Sequence, residues 1–176
     1  MNFLLLDFRF VWDFDIQFSG FLLFRMKQPS ATTSEITIEI ANQQVHLPLD
    51  RRLVRRAVRR VLRDAGLRKA RISVAVVDDE TIARLNWRYL HHRGPADVLS
   101  FVLDQSDGLE GEVVVGAQTA LRAAPQYGWP PHDELLLYVV HGTLHLVGHD
   151  DANPALRAEM QERETAVLRG LGIKRK

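Results

Sequence analysis

The chain has 176 residues, 46% of them hydrophobic and 26% charged, with a formal net charge of +1. That length favours one domain with a buried core, and the near balance of charge excludes a global field for nucleic acid or membrane, so any charge argument is local. Cysteine is absent, which excludes disulfides and thiolate metal sites and permits, without requiring, a reducing compartment.

Residues 1–25, "MNFLLLDFRFVWDFDIQFSGFLLFR", hold seven of the eight phenylalanines but are interrupted by Asp7, Arg9, Asp13 and Asp15. A signal peptide needs a basic start and an uninterrupted apolar run. The longest uncharged run, Ile16 to Phe24, is about half of the roughly 20 residues that span a membrane. The stretch therefore reads as a non-native or disordered extension, with translation beginning at Met26, and no membrane is expected. Residues 26–35, with the polar run "KQPSATTSE", read as a linker.

The expected domain covers 36–173. "ITIEI" (36–40) alternates like a strand. Asp50 can cap a helix over "RRLVRRAVRRVLRDAG", ending at Gly66. A strand is expected at 70–79, a short helix at 80–90, a loop "HHRGP", and a strand at 97–104. "EVVVG" (112–116) returns as a strand, making 97–116 a hairpin. A helix from about Ala117 is expected to stop near Pro125. Another starts around Pro131 and runs to about Val147, and a last one covers roughly 154–171. The order predicts a single α+β domain, a mixed sheet of about four strands packed with helices.

The stretch 141–151, "HGTLHLVGHDD", is the chemically distinctive one. Residues four apart on an α-helix lie about 40° apart around its axis, so His141 and His145 can aim two imidazoles at one point. Zinc accepts imidazole nitrogen and carboxylate oxygen at about 2.0–2.2 Å. Gly148 can take positive φ and turn the chain back, giving Asp151 a route to the same point as third ligand. The spacing repeats that of the metzincin pattern H-E-x-x-H-x-x-G-x-x-H, with aspartate last. His149 is the alternative third ligand; on a continuous helix it would lie about 12 Å from His141 along the axis, too far to share an ion. The surrounding helix is apolar on nearly every face, so two unpaired histidines there would be costly and a metal would satisfy both. Expected is a zinc site at the end of a buried helix, one ion per chain. In H-E-x-x-H the glutamate is the general base; here that place is Gly142, which disfavours peptidase chemistry.

Helix 51–66 carries Arg51, Arg52, Arg55, Arg56, Arg59, Arg60 and Arg63 opposite an apolar face. Such a stripe suits RNA phosphates in a salt-dependent, sequence-blind way, and Arg52, Arg55, Arg56 and Arg59 are the RNA-binding candidates; an ordinary solvated helix face is the alternative. Asp150 can orient a ligand histidine or take a catalytic part. Asp97 can cap a turn or act in catalysis. His46 reads as structural, His91, His92 and His132 as surface groups, and Trp87 and Trp129 as fillers.

Three blocks carry a family resemblance. His141, Gly142, Leu144, His145, Leu146, Gly148 and Asp150 match the hallmark H-G-x-L-H-L-x-G-Y-D-H. Leu85, Asn86, Tyr89, Pro95 and "DVLSF" (97–101) match a second block, and "GEVVV" (111–115) a third, G-D-I-V-I. In order and spacing the chain resembles, over roughly residues 36–171, the YbeY family of bacterial endoribonucleases that mature ribosomal RNA. The resemblance implies a zinc-dependent, single-strand-specific endoribonuclease in rRNA maturation and ribosome quality control, cytoplasmic, with ribosomal RNA and the small ribosomal subunit as partners. It also puts Ser100 and Asp97 beside the zinc cleft. Two positions depart. The family's third zinc histidine falls on Asp151, whose charge lowers the net charge of the site and weakens the metal as a Lewis acid. The family's arginine in "YRG" falls on Leu90; Arg88 and Arg93 are near enough to substitute, and Arg93 is the catalytic candidate. The remaining alternatives are a non-enzymatic ribosome-assembly factor with structural zinc, and a zinc peptidase.

Overall fold

The computed structural model describes residues 35–174; the expectations for 1–25 and for nearly all of the 26–35 linker lie outside them. Four strands and five helices follow one another: β1 (Glu35–Asn42), α1 (Arg51–Asp64), β2 (Lys69–Val77), α2 (Asp79–Leu90), β3 (Val98–Asp104), β4 (Leu109–Gly116), α3 (Ala117–Tyr127), α4 (Pro131–Leu146) and α5 (Pro154–Gly170). The sheet order is β1-β2-β4-β3. β1 pairs parallel with β2, and β2 with β4, while β3 and β4 form the antiparallel hairpin. This is the expected mixed sheet and α+β class.

Alternation along the strands separates two cores, because successive side chains point to opposite faces. Ile72, Val74, Val76, Val113 and Val115 pack with the apolar sides of α1, α3, α4 and α5. Ala75, Val77, Leu99 and Val114 pack with Ile82, Leu85 and Leu90 of α2. Helix α4 is buried on most sides and is the centre of the larger core. Its approach to the sheet depends on Gly142: a Cβ there would lie 2.7 Å from Ser100 Oγ, from Val113 Cγ1 and from Val98 Cγ2.

The helix borders fall close to expectation, with one correction. α3 does not stop at Pro125 but runs through it to Tyr127. The pyrrolidine ring fixes a helical φ and removes one N–H near the helix end; Gly128, at φ +69°, then ends the helix. α1 begins as anticipated, with the Asp50 carboxylate accepting from the Arg52 and Leu53 N–H groups.

Candidate metal centre

Helix α4 delivers His141 and His145 on one face, their rings edge to face with centroids 4.6 Å apart. The helix then closes in a Schellman turn, in which Gly148 N–H donates to the His145 carbonyl and His149 N–H to the Leu144 carbonyl. Gly148 stands at φ +94°, the left-handed region where a side chain costs energy. This turn brings Asp151 back to the histidines. One ligand atom from each of His141, His145 and Asp151 lies within 4.8 Å of the others, so these three can hold a metal ion.

The hydrogen bonds say which atoms would do so. His141 Nδ1 is 2.7 Å from Glu164 Oε1, and His145 Nδ1 is 3.0 Å from the His149 carbonyl. Both partners are acceptors, so both Nδ1 atoms carry the proton and both Nε2 atoms present lone pairs. Those Nε2 atoms face each other at 3.0 Å, and Asp151 Oδ1 is 3.9 Å from His145 Nε2. With both Nε2 atoms as acceptors, the two lone pairs and the carboxylate call for a shared positive charge between them, a metal ion or a proton. The separations bracket the roughly 3.3 Å between two ligands of one tetrahedral zinc. The donor set therefore fits a metal.

Titration reflects the same surroundings. Burial by itself pushes the His141 pKa down, but the hydrogen bond and charge of Glu164, with Asp97 and Asp151, outweigh it and hold the imidazole above its ordinary value. His145 is pushed down, first by burial and then by the charge of His141. Tyr138 is raised by burial and by Glu134, so its hydroxyl stays protonated.

Glu164 is the residue of the candidate site that the sequence did not reveal. It comes from α5, is only 7% exposed, and holds His141 as carboxylates commonly hold metal-bound histidines. Asp150, considered for that part, instead accepts the Asp151 N–H at 2.8 Å and so shapes the ligand loop. The His149 ring lies 3.9 Å from Glu159, outside the group of three, while its carbonyl serves His145.

Beside the histidines is a cleft of about 260 Å³, lined by His141, Asp151 and Glu164 together with Asp97, Glu134, Tyr138 and Arg157 among others. Asp97 reaches it, although its carboxylate also accepts the Val98 N–H. Arg93 is exposed in the loop after α2 and is not part of the lining. Leu90 packs against the α2 core. Ser100 donates to the Gly142 carbonyl at 3.0 Å, which ties α4 to β3. Gly142 faces that sheet, so nothing larger fits where a zinc peptidase would carry its glutamate.

The arginine helix is divided. Arg51 and Arg55 donate to the Ile40 and Ile38 carbonyls of the edge strand β1, a cover that blocks pairing with another strand. Arg60 pairs with Asp64. Arg52 and Arg56 are exposed and Arg59 is partly so. Of the remaining candidates, His46 is exposed rather than structural. Trp129 is buried, its Nε1–H donating to Glu134 at 2.5 Å, while Trp87 is 53% exposed. His132 is within 3.4 Å of Asp133, and His91 ends α2 at φ +55°. No helix among the described residues is long and apolar enough to cross a membrane.

Comparison with known proteins gives a consistent result. The sequence pattern of the family described as Endoribonuclease YbeY matches residues 35–172. The Endoribonuclease YbeY of Rhodopirellula baltica is 43% identical over 111 residues, 61% of this chain and 57% of that protein. That of Syntrophus aciditrophicus is 37% identical over 73% of this chain and 86% of its own length. That of Moorella thermoacetica is 35% identical over 77% and 97%. The solution structure of TM1509 from Thermotoga maritima shares the fold, with a TM-score of 0.54 at 22% identity, covering 76% of this chain and 91% of that one.

Proposed function

We propose a function from one premise: the chain belongs to the Endoribonuclease YbeY family, a family of nucleases that are hydrolases. The proposed reaction is zinc-dependent hydrolysis of a phosphodiester in single-stranded ribosomal RNA during rRNA maturation and ribosome quality control. The small ribosomal subunit is the proposed partner and the cytoplasm the proposed location. One zinc per chain would be held by His141, His145 and Asp151.

The observation that carries this reading is the pair of Nε2 atoms facing each other at 3.0 Å with both Nδ1 atoms tied to acceptors. Two imidazoles and one carboxylate suit zinc, and the same set suits iron(II), so metal analysis separates the two. When bound, the ion would supply Lewis acidity toward a phosphoryl oxygen. The protein's own residues do the rest. Glu164 and the His149 carbonyl hold the Nδ1 protons and keep each Nε2 available. Arg52, Arg56 and Arg59 support attraction of the RNA backbone without reading its sequence.

The test is metal content of the purified protein together with cleavage of a single-stranded RNA, for wild type and His145→Ala. About one zinc per chain, and loss of both zinc and cleavage in the variant, is expected. Zinc without cleavage would favour a ribosome-assembly factor with a structural ion.

A further inference from the structure

The cleft beside the ligands is uneven in charge. Asp97, Glu134, Asp151 and Glu164 line it as acids, and Arg157 is the one arginine or lysine among its lining residues. A phosphodiester entering the cleft meets repulsion near those carboxylates and attraction near Arg157 and near a cation held by the histidines. Arg157 lies in the first turn of α5, with Nη2 3.4 Å from the Asp151 carbonyl, so its guanidinium is anchored beside a metal ligand. That contact uses one of five N–H donors, and a planar fork can grip two oxygens of one phosphate.

The rest of the lining is of another kind. Tyr127, Leu137 and Met160 give it an apolar wall, and Tyr127 is 50% exposed. A ring at that place is a platform on which a base can stack, and stacking tolerates any base. The volume, about 260 Å³, falls below the roughly 300–1,000 Å³ of sites that engulf a drug-sized molecule. That volume suits one nucleotide unit, with the cleft mouth open to solvent for the rest of a strand.

We propose that this cleft is the subsite for a single nucleotide of the RNA, with Arg157 gripping its phosphate and the Tyr127 wall receiving its base. The RNA in this statement rests on the endoribonuclease reading; the nucleotide chemistry does not, since a free mononucleotide presents the same groups. Arg157→Gln keeps a polar side chain and drops the charge; Arg157→Ala drops both.

The experiment titrates full-length, metal-loaded wild type and both variants with adenosine 5′-monophosphate, adenosine and inorganic phosphate, and follows cleavage of a short single-stranded RNA in parallel. The monophosphate should bind wild type more tightly than adenosine or phosphate. Both variants should lose about tenfold or more of that affinity, with adenosine affinity and metal content unchanged and the KM for RNA raised. Tyr127→Ala should instead weaken adenosine. Equal monophosphate affinity in all forms, or normal RNA cleavage by Arg157→Gln, overturns the subsite and leaves the nuclease standing. Arg157-dependent monophosphate binding in a wild type that cuts no RNA overturns the nuclease and assigns the cleft to free mononucleotides.

Discussion

Helices α1 and α4 pack on the same face of the sheet, yet the polar groups of α4 are largely buried and those of α1 largely exposed. On α4, each polar group of the site has one fixed partner: His141 has Glu164 of α5, the Gly142 carbonyl has Ser100 of β3, and His145 has the His149 carbonyl in the turn that closes the helix. On α1, Arg60 turns to its own neighbour Asp64, Arg51 and Arg55 lie along the β1 edge, and Arg52 and Arg56 face solvent. Burial makes the difference. A polar group taken out of water must be matched, so its geometry is specified, whereas an exposed guanidinium is satisfied by water in many orientations. The candidate metal site sits where burial forces specification.

Gly142→Ala should break the α4 side of this contrast most. Its Cβ would meet three atoms at 2.7 Å, and overpacking of this kind costs about 1–3 kcal/mol, to be read as a lower melting temperature. Glu164→Gln should lower metal affinity about 10–100-fold, measured by competition with a chelator, with the fold retained. Replacing Arg52, Arg56 and Arg59 together by alanine tests the other helix. It should reduce the salt slope of single-stranded RNA binding by about two and leave metal content unchanged; a lost metal site would erase the distinction between the helices.

The pH dependence sharpens the contrast inside α4. The pKa of His141 is raised, and its proton competes with the metal, so metal affinity should fall as pH drops through that raised value, earlier than for an ordinary imidazole. In the metal-free protein the same shift contributes stability that is fully present below the unfolded pKa and lost as pH rises through the folded one. His145, whose pKa is lowered, works in the opposite sense, its contribution present above the unfolded value and lost as pH falls through the folded one. Glu164→Gln should therefore lower the His141 pKa, so that the bend in log affinity against pH moves to lower pH while the affinity on the neutral side falls.

The smallest effect is expected on the α2 side of the sheet. Burial raises the Glu112 carboxyl pKa, against a weak Ser73 hydrogen bond. Its stabilising contribution is present below the unfolded pKa and lost as pH rises through the folded one. Glu112→Gln should accordingly stabilise the protein at neutral pH and change little in acid, as thermal unfolding at the two pH values would show.

The sequence made the metal group legible because its geometry is local. A helical spacing of four and one glycine turn bring His141, His145 and Asp151 together within 11 residues. The alternating strands and the Asp50 cap were legible for the same reason. Glu164 was not, since it reaches His141 from 23 residues away through the packing of α5 on α4. A signal for it existed: it shares the buried stripe of α5 with Met160, Val167 and Leu168, and a carboxylate on an apolar stripe calls for a partner. Arg157 likewise shows its place only once α5 is folded back beside Asp151. The double use of the α1 arginines was hidden because periodicity reveals a charged face but not the open edge of β1 under part of it.

The metal site is tested most directly by long-range ¹H–¹⁵N NMR of the His141 and His145 rings as zinc is added. Both Nδ1 atoms should stay protonated, both Nε2 resonances should shift together, and the change should be complete at one equivalent of zinc per chain. Rings that do not respond, or that bind through Nδ1, would contradict the site.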